Sequence, residues 1–170
     1  MVVSVDSNEV QRVLDARAAQ LAIALSDGAR KSDEFEVAAC TVGSERFGFP
    51  VRHLREIVPL PNVTRLPHTP AWVLGLAHVR GTLLCVIDLG RLCTVRGSSA
   101  PRHLAVVQAE HGPIGFTVDE VLACRPVSAS MLEPDARDRA DHRAALGVTR
   151  DLLVVLDIPK LLASPELIVQ

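Results

Sequence analysis

The 170-residue sequence predicts a mainly β protein, two small barrels made from one repeated unit, with an amphipathic helix ahead of them. Three observations predict it. Short apolar runs punctuated by glycine and proline fill the chain from Phe35 onward. Two stretches recur in the same order about seventy residues apart. A helical period is confined to the N-terminal segment.

The helix comes first. In SNEVQRVLDARAAQLAIAL, Val10, Leu14, Ala18, Leu21 and Leu25 fall on one face. Ser7 is placed to cap the start, and Glu9 suits the positive end of the helix dipole. Gly28 ends it, and the polar SDGARKSDE forms a linker. Residues 1–32 therefore read as helix and linker, 33–165 as the folded domain and 166–170 as a tail.

From Phe35 the pattern becomes that of strands. FEVAACTV and FGFPV flank the turn GSER and predict a hairpin, which Pro50 brings to an early end or an edge position. RHLREIV fits either a helical turn or a further strand. PLPNVTRLPHTP, with four prolines, predicts an extended surface connection. LLCVIDL and LAVVQAE predict strands. PIGFTVDEVLA closes a second hairpin after His-Gly, LLVVLDI is the last strand, and IPKLLASPELIVQ begins a short helix interrupted at Pro165.

The repeat orders these pieces. FGFPVRHL, residues 47–54, aligns with IGFTVDEV, residues 114–121, and LLCVIDLGRL, 83–92, aligns with LLVVLDIPKL, 152–161. A β unit made twice predicts two small barrels side by side, each leaning on the other for want of a large core of its own. Asp88 and Asp157 close the matched apolar strands. Both are expected to cap the following turn through backbone N–H groups. At the same offset, His78 and Arg80 face Gly147 and Thr149 and so fall outside the repeated frame. Side chains peculiar to one half are the better functional candidates.

Composition narrows the function. Aromatics make up 3% of the chain, with no Tyr and one Trp, too few for a base-stacking platform. The net charge is −2 and no basic tract is present, so no nucleic-acid partner is expected. No apolar run reaches the roughly 18 residues of a membrane helix, and MVVSVDSNEV lacks a signal peptide's basic start. A cytoplasmic protein without direct membrane insertion is expected. Cys40, Cys85, Cys93 and Cys124 form no CxxC pair, and the six histidines show no metal-ligand spacing. Neither a metal nor a cofactor is expected. His78, Cys85 and Asp88 lie close in sequence, but strand alternation buries Cys85, where a thiol is inert, so a scaffold role outweighs nucleophilic catalysis.

The run FGFPVRHLREIVPLPNVTRLPHTPAWVLGLAHVRGTLLCVIDLGRL resembles the signature of CheW-type chemotaxis coupling domains. The matching pieces are Val51 to Ile57, Thr64 to Pro70, Gly75 to Gly81 and Leu83 to Leu89. The likeness continues through Gly115 to Asp119 and Leu152 to Ile158, and spans residues 35–163. It implies two SH3-like five-stranded barrels and a non-enzymatic adaptor without a cofactor. The implied partners are the regulatory domain of a CheA-type histidine kinase, paired barrel to barrel, and the cytoplasmic tip of a methyl-accepting chemoreceptor, seated between the barrels. The localisation implied is cytoplasmic, with recruitment to membrane receptor arrays. The partner-binding residues it implies are Arg80, Glu56 and Gly75, with Leu54 and Val118 as apolar contacts. His78 stands where the family has Asn; a side chain that gains charge near neutrality would make coupling pH-sensitive. The alternatives are a receptor-independent regulatory domain that binds only the kinase or other coupling domains, and a small ligand-binding or catalytic barrel.

Overall fold

The computed structural model describes residues 33–95, 101–133, 144–164 and 167. The expected N-terminal helix lies outside them. Ten strands form two five-stranded sheets among the described residues. The strands are β1 (Glu34–Val42), β2 (Glu45–Pro50), β3 (Leu54–Pro59), β4 (Val73–Val79), β5 (Thr82–Ile87), β6 (His103–Ala109), β7 (Gly112–Val118), β8 (Glu120–Ser128), β9 (Ala145–Val148) and β10 (Leu153–Leu156). Two short helices, α1 (Leu89–Leu92) and α2 (Ile158–Leu162), follow β5 and β10. RHLREIV resolves into both expected forms, a 3₁₀ turn over Val51–His53 and then β3.

The strand orders are β8-β1-β2-β10-β9 and β3-β6-β7-β5-β4. The repeat therefore does not coincide with the barrel. One unit runs β1 to α1 and the next β6 to α2, but each sheet joins the opening hairpin of one unit to the last three strands of the other. The crossovers fall at Pro50–Leu54 and at Asp119. The equivalence itself holds at atomic register. Phe47 pairs Val154 across parallel strands in one sheet, and Ile114 pairs Cys85 in the other.

Each sheet closes on itself through one bridge. Thr64 and Leu76 exchange two backbone hydrogen bonds of 2.8 Å. Glu133 and Val148 exchange bonds of 2.9 and 3.4 Å. The segments after β3 and β8 thus seal β4 and β9, which removes free edges. The bridges also revise the alignment. Leu76 faces Cys85 and Val148 faces Val154, so the β4–β5 hairpin projects further than β9–β10. Gly147 answers to Gly75 rather than to His78.

The core has three parts. Leu84, Val86, Leu104 and Val106 fill the second barrel, and Val37, Val127, Leu153 and Val155 the first. Between the barrels lies the third, with Phe47, Phe49, Ile87, Leu89, Val107, Phe116, Val118, Leu156 and Ile158. Strands β5 and β10 have barrel interior on one face and this shared layer on the other. That explains why both read as unbroken apolar runs instead of alternating.

Asp88 Oδ1 accepts from Arg91 N at 3.0 Å and Asp157 Oδ1 from Lys160 N at 3.2 Å. Both aspartates are helix N-caps, as the repeat predicts. Asp88→Ala and Asp157→Ala should each cost about 1 kcal/mol, read as a small fall in melting temperature. Cys40 and Cys93 are buried and Cys85 half-buried. Burial pushes the Cys40 thiol up to about 12 and raises that of Cys85.

Candidate partner-binding surface

The second barrel brings Glu56 and Arg80 together. Glu56 sits on β3 and Arg80 at the β4–β5 hairpin tip, and closure of the barrel at Thr64–Leu76 draws these elements side by side. Both tip residues have positive φ, 47° at Arg80 and 81° at Gly81. Such a tip matches the twist of the flanking strands. From it Arg80 Nε donates to Glu56 Oε2 at 2.6 Å. The Glu56 side chain is 20% exposed and that of Arg80 77%. One nitrogen of the guanidinium is thus tied to the barrel while most of the group faces solvent.

The other residues implied by the resemblance separate. His78 is exposed on β4 and faces Leu83 across the hairpin, which is 52% exposed. Leu54 is half-buried against the layer between the barrels. Val118 and Gly75 are corrections. Val118 is fully buried, because it shares the inward face of β7 with Phe116. In this fold it lies beneath the surface, with no side chain presented to solvent. Gly75 is buried, and a Cβ there would overlap the Thr64 carbonyl oxygen; its role is to let the barrel close. The His78, Cys85 and Asp88 group separates as well. Cys85 pairs Leu76, and the Asp88 carboxylate is held by Arg91 through its backbone N–H and an ion pair of 3.3 Å.

A second charged group was not foreseen. Arg125 on β8 grips Asp151, at the β9–β10 tip, with Nη1 to Oδ2 at 2.8 Å and Nη2 to Oδ1 at 2.9 Å. Thr149 Oγ1 donates to the same carboxylate at 2.7 Å. The Arg125 hydrogen bond, then that of Thr149, hold the Asp151 carboxyl well below the usual range. The sequence repeat gave no signal for it, because its alignment carries Glu56 onto Ala123, and only the closing bridges bring Arg125 into the equivalent place.

Residues 36–166 match the family model described as the CheW-like domain. The chain is 27% identical over 138 residues to the probable chemotaxis protein CheW of Rhizobium etli, covering 77% of this chain and 89% of that one. It is 30% identical over 150 residues to the protein FrzA of Myxococcus xanthus, covering 83% and 92%. The fold is that of the scaffolding protein TtCheW from Thermoanaerobacter tengcongensis, at a TM-score of 0.64 over 72% of this chain and 88% of that one, with 23% identity. Match and fold together span the two barrels and both interchanged hairpins, and the chain belongs to the CheW-like domain family.

Proposed function

We propose that this protein is a non-catalytic adaptor that couples a methyl-accepting chemoreceptor to a CheA-type histidine kinase, with residues 33–165 as the coupling module. The observation that carries the proposal is the Glu56–Arg80 pair, which lies on the outer surface although 24 residues separate the partners. Arg80 is oriented by one nitrogen, which leaves its planar fork positioned for a partner's carboxylate. The relatives named as chemotaxis proteins, and the neighbour named as a scaffolding protein, point the same way. No helix of the described residues is long and apolar enough to cross a membrane. The adaptor meets the receptor at its cytoplasmic tip.

The test is size-exclusion chromatography of the chain with a CheA-type regulatory domain, with and without a receptor tip fragment. Co-elution with both is expected. Arg80→Glu should abolish the receptor complex and leave the melt almost unchanged, because an exposed ion pair contributes about 0.2–1 kcal/mol. A large fall in melting temperature would assign Arg80 to the scaffold instead. Binding to the kinase domain alone would replace the coupling role with that of a receptor-independent regulator. Binding to neither would overturn both.

A further inference from the structure

A cavity of about 640 Å³ opens where the β1–β2 turn, the start of α1 and the end of β7 meet. Its walls include Val42, Trp72, Leu74, Asp88, Thr117 and Asp119, and neither Glu56 nor Arg80 lines it. The volume falls within the roughly 300–1,000 Å³ of small-molecule sites.

Two polar side chains in the wall are not accounted for by the fold. Asp119 is 7% exposed and Thr117 2%. Asp119 Oδ2 accepts from Gly43 N at 2.6 Å. The neighbouring His103 ring reaches the Asp119 main-chain oxygen, at 3.2 Å, and not the carboxylate. Among the described residues no cationic side chain pairs with that carboxylate. The Thr117 hydroxyl has no hydrogen-bond partner among them. Asp88 on the opposite wall differs, because Arg91 supplies it with a backbone N–H at 3.0 Å and Nε at 3.3 Å. Arg91 Nη1 is itself taken by the Ala71 carbonyl oxygen at 2.9 Å. The cavity thus keeps one buried carboxylate without a counter-ion and one buried hydroxyl without a partner. Each costs free energy that an occupant of the right chemistry recovers.

A metal ion is the wrong occupant. One carboxylate and one hydroxyl are too few ligands, and among the described residues no group of three His, Cys, Asp or Glu side chains could hold one. An organic cation fits better. Its charge needs a single carboxylate, its remaining N–H groups need an acceptor such as the hydroxyl, and its body needs an aromatic and aliphatic wall, which Trp72, Val42 and Leu74 provide. We infer that this cavity binds a small organic cation, an ammonium or guanidinium group on a short aliphatic chain, with the head on Asp119 and Thr117 and the body against Trp72. The inference needs neither a receptor nor a kinase, so its failure would leave the coupling role untouched.

Trp72 is the one tryptophan of the chain, so intrinsic fluorescence reads the cavity directly. The purified full chain is titrated with n-butylguanidinium and with n-butylammonium. A saturable change is expected, with half-saturation on the order of 1 mM or below. n-Butylurea has the shape of butylguanidinium without its charge and should bind about tenfold more weakly or worse. Asp119→Asn keeps an oxygen to accept from Gly43 N while it removes the charge, and should weaken butylguanidinium binding about tenfold or more. Thr117→Val exchanges the hydroxyl for a methyl group and should weaken it about threefold. Should Asp119→Asn fail to fold, the butylurea comparison and Thr117→Val carry the test. No saturable change up to about 50 mM would overturn the inference. So would equal binding of butylurea, or undiminished binding by an Asp119→Asn protein that melts like the wild type.

Discussion

Gly75→Ala is expected to destabilise the protein by about 3 kcal/mol or more, and to lower its melting temperature by roughly 10 °C. Gly75 has φ of 141°, a conformation that side-chain-bearing residues rarely adopt. A Cβ would also overlap the Thr64 carbonyl oxygen and come within 2.7 Å of its carbon and 2.9 Å of the Arg65 Cα. All three are backbone atoms, so no rotamer change relieves the clash. The obstructed atoms belong to the bridge that closes the second barrel, in which Thr64 and Leu76 exchange two bonds. Opening that bridge leaves buried backbone groups without partners, which adds to the strain. Gly81→Ala is the control. Gly81 also has positive φ, 81°, but a Cβ there meets nothing within 4 Å. Its alanine should cost only about 1 kcal/mol. The pair also separates two roles for Gly75. If it serves closure, Gly75→Ala loses partner binding together with stability, whereas Arg80→Glu loses binding alone. A Gly75→Ala protein that melts like the wild type but no longer binds would return Gly75 to the binding surface.

The features legible in the sequence were those set by local chemistry. Glycine and proline punctuation marked the hairpins, and the paired aspartates announced two helix caps because capping depends on backbone only three residues away. The repeat revealed that the end of the hairpin and the apolar strand with its capping aspartate are each made twice. It could not reveal that β2 pairs with β10 rather than with β5, and β1 with β8 rather than with β3. Equivalent strands offer equivalent edges, and the choice rests on the crossovers at Pro50–Leu54 and Asp119. Strands β4 and β9 were missed for a related reason. The position of each is set by a bridge to a proline-rich or irregular segment that carries no period. Val118 shows the limit of reasoning from resemblance. The motif names the residue, but only the packing of β7 beside Phe116 reveals that the side chain faces inward. The Glu56–Arg80 pair was legible as two residues and not as a contact, because barrel closure is what joins them.

Phe116→Ala should remove about 3–5 kcal/mol, a third or more of the stability of a typical domain. The ring is fully buried in the layer between the barrels, its centroid 6.4 Å from that of Phe49. Phe116 belongs to the second barrel and Phe49 to the first, so the cavity opens where the barrels hold each other. Two independent barrels would respond with two transitions, the weakened one melting early. Interchanged hairpins forbid this. Pulling β7 from its sheet frees β8, which begins two residues later in the other sheet and pairs there with β1. One transition is therefore expected in both the wild type and the variant. Trp72 packs against the same layer and supplies the probe. Its fluorescence reports the contact between the barrels, and far-ultraviolet circular dichroism reports both sheets. The two curves should coincide and shift together in Phe116→Ala. A fluorescence change that precedes the loss of strand signal would mean that the barrels part before they unfold, and that the crossovers act as tethers rather than as shared structure.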